Sequence, residues 1–138
     1  MDGRSPIGVV DDEALTLSTV DVARFAGLSY RRVDFYVRVG LLVPPVAARG
    51  SGTHRRFSTR EARIAWVVGR VQDDHSRDTA TLASAVATLR HAPVWGGLLV
   101  TNGVTSTVVE HAAELLDALA EMGPTVLVVD LDSCPDPA

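Results

Sequence analysis

Residues 17–42 read LSTVDVARFAGLSYRRVDFYVRVGLL, and the punctuation of this stretch decides the fold. Ser18 stands as a helix N-cap with Asp21 three residues on. At that spacing a hydroxyl and a carboxylate satisfy each other's orphan amides in a first helical turn. Val20, Ala23 and Phe25 supply apolar packing, and Gly27 stops the helix. Ser29 is the next N-cap. Val33, Tyr36 and Val37 fall at i, i+3 and i+4, one face of a second helix that Gly40 ends. Two short helices meeting through Ala26-Gly27-Leu28-Ser29 predict a helix-turn-helix.

Working outward, Pro44 and Pro45 take the chain out of the helix. Residues 48–57 read as a hairpin with a glycine-rich tip at Gly50 and Gly52 and a basic return strand. Ser58 and Glu61 repeat the capping-box spacing. They open a helix over about 59–72 that buries Ala62, Ala65, Trp66, Val68 and Val71. Residues 73–78 are a polar connection. A further helix over about 79–91 carries Leu82, Val86 and Leu89 on one stripe. Past Pro93, two β-prone runs flank Asn102-Gly103, a strong hairpin signal. A helix over 110–122 places Ala113, Leu116, Leu119 and Ala120 on one face. After Gly123-Pro124, the run Val126-Leu127-Val128-Val129 reads as a buried strand.

The expected fold is α+β: a winged helix-turn-helix followed by a small β-β-α-β unit. The expected divisions are a flexible acidic leader (1–15), a winged helix-turn-helix domain (16–92), a small α/β domain (93–132) and a loose tail (133–138).

The run Leu17 to Ser29 resembles the opening of the MerR family DNA-binding domain, and Tyr30 to Leu42 continues the match with an aromatic-Tyr pair and a closing Gly-Leu. The wing is similar too, with Arg49 and then Gly52-Thr53-His54-Arg55-Arg56-Phe57-Ser58. The resemblance covers roughly residues 16–75. It implies a sequence-specific double-stranded DNA-binding protein, a transcriptional regulator. The second helix would enter the major groove with its N-terminal residues foremost. Ser29, Tyr30, Arg31, Arg32, Tyr36 and Arg38 would then serve from that helix, and Arg49, Thr53, His54, Arg55 and Arg56 from the wing. In the pairs Arg31-Arg32 and Arg55-Arg56, at most one member of each can face the core. Tyr36 is expected in the core, with its hydroxyl within reach of a phosphate. A homodimer through the C-terminal unit is the expected assembly.

Two features depart from the family pattern. Asp34 stands where the family has an Arg before the aromatic-Tyr pair, so it pairs with Arg31 or Arg38 or accepts from a cytosine amino group. No sustained heptad follows the first domain, so dimerisation through a long C-terminal helix, promoter untwisting and metal sensing by cysteines are not carried over. An excisionase-like architectural factor is an alternative. So is a protein-interaction module whose acidic C-terminal half has lost or autoinhibits DNA binding.

Charge supports the division into halves. The 138 residues carry a net charge of -4, which taken alone argues against a nucleic-acid partner. Residues 19–77, however, hold 11 Arg against 5 acids, while residues 78–138 hold one Arg against 8 acids. A basic domain hidden in an acidic chain is the footprint of polyanion binding. All 13 basic residues are Arg, so every cationic contact is a planar guanidinium. The bias points to a GC-rich genome, and with the resemblance it fits an actinobacterial or phage source.

Other chemistry finds little footing. Cys134 is the single cysteine, which excludes an intramolecular disulfide and a multi-Cys zinc site. The four His are scattered, and Gly50-Ser51-Gly52 lacks the GKS or GKT of a phosphate loop. Asp130 and Asp132 read as strand termination. No catalytic residue, metal or cofactor is expected, and no effector is assigned. Without a signal sequence or an apolar span, the expected location is the cytoplasm, at the nucleoid.

Overall fold

Ser18 Oγ accepts the Asp21 N–H at 3.1 Å, and Asp21 returns a carboxylate to the Ser18 N–H at 3.0 Å. This closed box starts α1 (Thr19–Ala26), and Gly27 ends it in the left-handed region at φ 72°. The structure is a computed structural model that describes residues 15–45, 55–75 and 79–137. Contacts divide the chain into two units, residues 1–69 with 137–138, and residues 70–136. The sequence reading puts this boundary at Pro93.

In the first unit, Ser29 Oγ accepts the Arg32 N–H at 3.1 Å and caps α2 (Tyr30–Arg38). The α1 residues that turn inward are Thr19, Val22, Ala23 and Ala26, at i, i+3, i+4 and i+7. Val20, read from sequence as packing, is 50% exposed, because it lies on the other side of that stripe. From α2, Val33 and Tyr36 are buried. They join Leu28, Leu41, Leu42 and Phe57 in the core of the unit.

A short antiparallel sheet pairs β1 (Leu15–Leu17) with β2 (Phe57–Ser58). The sequence reading assigns Leu15 to the leader and pairs Phe57 inside a wing hairpin. Pairing across some forty residues has no local signature, so β1 is invisible until the fold brings β2 to it. The leader residues 1–14 and the wing tip 46–54 lie outside the described residues.

The helix α3 (Thr59–His75) is longer than read, since it takes in Asp73, Asp74 and His75 from the expected connection. Ser58 Oγ accepts the Glu61 N–H at 3.1 Å. The Glu61 carboxylate reaches across to the Val43 N–H at 2.9 Å, tying the segment after α2 to the start of α3. The chains approach closely at Gly69, where a Cβ would meet the Ala26 carbonyl oxygen at 2.9 Å.

The second unit holds α4 (Thr79–His91), β3 (Leu98–Thr101), β4 (Ser106–Val109), α5 (Ala112–Met122) and β5 (Leu127–Asp130). Its antiparallel sheet has the order β4-β3-β5, and β3 to β5 give the expected β-β-α-β sequence of elements. On α4, Leu82, Val86 and Leu89 are buried as the stripe predicts. Ser84 and Thr88 hydrogen-bond Ser106 of β4, so α4 packs on the hairpin. That contact places α4 with the C-terminal elements.

The hairpin stands at Asn102-Gly103 but turns over four residues, because Thr101 pairs with Ser106. Asn102 Oδ1 accepts from the Val104 and Thr105 amides, and its Nδ2 donates to the Met122 carbonyl. On α5 the inward face is Leu115, Ala118, Leu119 and Met122, packed on Val100 and Val109. Leu116, expected inside, is 69% exposed. The period is right and the face is rotated, because Ala113, Leu116 and Ala120 form an equally regular apolar stripe. Val128 is 41% exposed, not buried, since side chains alternate between the two faces along β5 and Leu127 and Val129 take the more covered one. Asp130 caps the one-turn 3-10 segment Leu131–Ser133 through Asp132 N and Ser133 Oγ. It ends the strand, and the turn closes at Ser133, the first residue of the expected tail.

Candidate nucleic-acid interface

The two residue types that anchor α2 and the types that face away from it separate cleanly around the helix. Val33 and Tyr36 hold it to the core at 0% and 2% exposure. Ser29, Tyr30, Arg31, Phe35 and Arg38 are exposed. No acid stands in the first turn, so the N-terminal amides and Arg31 present one sign of charge there.

Arg32 is half-buried and turned back along its own helix. Its Nη2 donates to the Tyr36 hydroxyl at 2.8 Å, and its guanidinium lies 5.8 Å from the Tyr36 ring centroid. Tyr36 therefore sits in the core as expected, but its hydroxyl is already a hydrogen-bond acceptor within the protein. Arg31 is exposed beside it, so this pair divides into one outward member and one turned back along the helix.

The second pair divides likewise: Arg56 is exposed and Arg55 is not. Arg55, placed by the strand entry just before β2, donates from Nη2 to Asp34 Oδ1 at 2.6 Å, with its side chain 17% exposed. Arg38 Nε lies 3.4 Å from the other oxygen, Asp34 Oδ2. Arg55 first, and Arg38 after it, hold the Asp34 carboxyl below its usual range. Asp34 is thus the joint between α2 and the strand entry at Arg55. Sequence spacing offers it only its helical neighbours Arg31 and Arg38. The Arg55 partner, 21 residues away, is supplied by the fold. Phe35 is the exposed residue that sequence reasoning passes over; its signal is its spacing, four residues after Arg31 and three before Arg38.

Arg49, Thr53 and His54 of the expected site lie outside the described residues. Among the described residues no helix is long and apolar enough to cross a membrane.

Comparison with known proteins agrees with this geometry. Residues 17–72 match the model of the MerR HTH family regulatory proteins. An HTH-type transcriptional regulator of Mycobacterium bovis is 32% identical over 72 residues, which cover 51% of this chain and 32% of that protein. Regulators of two Mycobacterium tuberculosis strains match with the same figures. The chain thus spans about a third of the length of the curated relatives it matches. These matches are to HTH-type regulators, and they lend no support to an excisionase-like factor or to a module that has lost DNA binding. Helix-turn-helix geometry and family match coincide on the same segment: residues 17–72 are a MerR-family helix-turn-helix domain.

Proposed function

We propose that this chain is a sequence-specific transcriptional regulator that binds double-stranded DNA through α2, in the cytoplasm at the nucleoid. The observation that carries the reading is the outward face of α2, where Arg31 and Arg38 stand exposed on a helix capped by Ser29 and anchored by Val33 and Tyr36. A helix of this size fits the major groove, and Arg can donate a bidentate pair to guanine. Ser29, Tyr30 and the first-turn amides suit phosphate. Arg56, with Arg49, Thr53 and His54, supplies the wing contacts. Arg55 acts through Asp34 and braces the wing, and Tyr36 and Arg32 brace the helix.

The experiment is selection of bound duplexes from a random pool, followed by titration at several salt concentrations. A defined site and an affinity that falls steeply with salt are expected. Arg31→Ala should weaken binding by roughly tenfold or more, the worth of one bidentate contact. No enriched site, or unchanged affinity in Arg31→Ala, would refute the assignment.

The second unit is proposed to join two copies, so that two α2 helices reach successive major grooves. Leu116 and Val128 are exposed on it, and β4 and β5 are both edges of their sheet. Sedimentation of the full chain should show a dimer; a monomer at every concentration tested would exclude this role.

A further inference from the structure

We propose that Phe35 is a specificity-determining residue, and that it reads the 5-methyl group of a thymine in the bound site. This inference rests on the DNA-binding reading of α2 and extends it to one base.

At about 100° per residue, Arg31, Phe35 and Arg38 lie roughly 140–200° around the helix from Val33. They form the crest of α2, directly opposite the residue that anchors it. Phe35 is therefore in the middle of the surface that meets the groove floor, with a guanidinium on either side along the helix. The residue is 41% exposed. Among the described residues only Tyr30 and Phe35 are exposed aromatics, and both belong to this helix. Leaving such a ring in water is unfavourable, and burying it against an apolar partner recovers that free energy.

The chemistry of the partner follows from what the ring lacks. Phe has no hydroxyl, so it cannot bond a phosphate or a base edge. On the floor of the major groove the apolar group is the thymine C5 methyl; the other exposed groups are donors and acceptors. The position is also held in place. The Arg38 guanidinium lies 5.8 Å from the Phe35 ring centroid, and Arg38 is tied through Nε to Asp34. The ring thus meets the base from a supported surface.

The test uses the full chain and the duplex that pool selection returns. Each thymine is replaced singly by deoxyuridine, which removes the methyl and keeps every hydrogen-bonding group. The wild-type protein should bind about fourfold more weakly when one particular thymine is replaced, the worth of one buried methyl-sized group. Phe35→Ala should bind the thymine and deoxyuridine duplexes alike at that position. Phe35→Leu, which keeps an apolar side chain, should retain part of the discrimination and decides the matter if the alanine variant fails to fold. Wild-type affinity unchanged by replacement of every thymine overturns the proposal, and so does a Phe35→Ala protein that still discriminates. If no duplex is selected, the DNA-binding reading fails and this inference with it. If a site is selected but no deoxyuridine matters, only this inference fails.

Discussion

Replacing Glu61 tests how α2 is held at its far end. Glu61 is 5% exposed and accepts the Val43 amide at 2.9 Å, fixing the chain just after α2 to the first turn of α3. A hydrogen bond to a charged group contributes about 1.5–3 kcal/mol. The carboxylate also lies in the first turn of α3, where negative charge adds about 0.3–1 kcal/mol. Against this, Val43 is 48% exposed, so water can partly satisfy its amide once Glu61 is gone, which favours the lower end of the range. Glu61→Ala should therefore lose about 2 kcal/mol, and Glu61→Gln, which keeps a neutral acceptor, about 1 kcal/mol. Urea unfolding of the full chain measures both, and hydrogen exchange at the Val43 amide locates the loss. The reasoning fails if Glu61→Ala is as stable as wild type, or if the Val43 amide exchanges no faster in it.

Two further predictions concern a glycine and an acid. A Cβ at Gly97 would meet the Val109 carbonyl oxygen at 2.5 Å, at a backbone φ of +82°. Gly97→Ala should lose roughly 2–4 kcal/mol of unfolding free energy. Gly40→Ala, with a similar φ of +84° but open space around it, should lose only roughly 1–2 kcal/mol; equal losses would show that crowding at Gly97 contributes nothing. Asp34 has its carboxyl lowered chiefly by the Arg55 hydrogen bond. Its ionised form thus adds stability above the ordinary aspartate value of about 4, and that gain is lost as pH falls through the lower folded value. Wild type should exceed Asp34→Asn in stability at neutral pH and converge with it in strong acid; a gap independent of pH would show that the charge is not the cause.

Much of the first unit is written in local sequence. Ser18, Asp21, Gly27 and Ser29 act on backbone groups within a few residues, so their spacing suffices to place both helices of the helix-turn-helix. The Ala26-to-Ser29 turn and the outward Arg31 follow from the same periodicity. The residues that resemble the MerR family lie in this locally determined stretch, and the family match falls on the same segment.

The rest depends on partners that are far away in sequence. β1 exists because Phe57 returns beside Leu17, and no local pattern announces that pairing. The face of α5 read from sequence is the wrong one because two apolar stripes share one helical period, and the position of Val100 and Val109 selects between them. Asp34 shows the division most sharply. Spacing along α2 sets Asp34 within reach of Arg31 and Arg38 alone, or of a base amino group. Arg38 does pair with it, but the closer partner, Arg55, comes from the tertiary fold, because an ion pair depends on distance through space and the entry to β2 brings its guanidinium within 2.6 Å of Asp34.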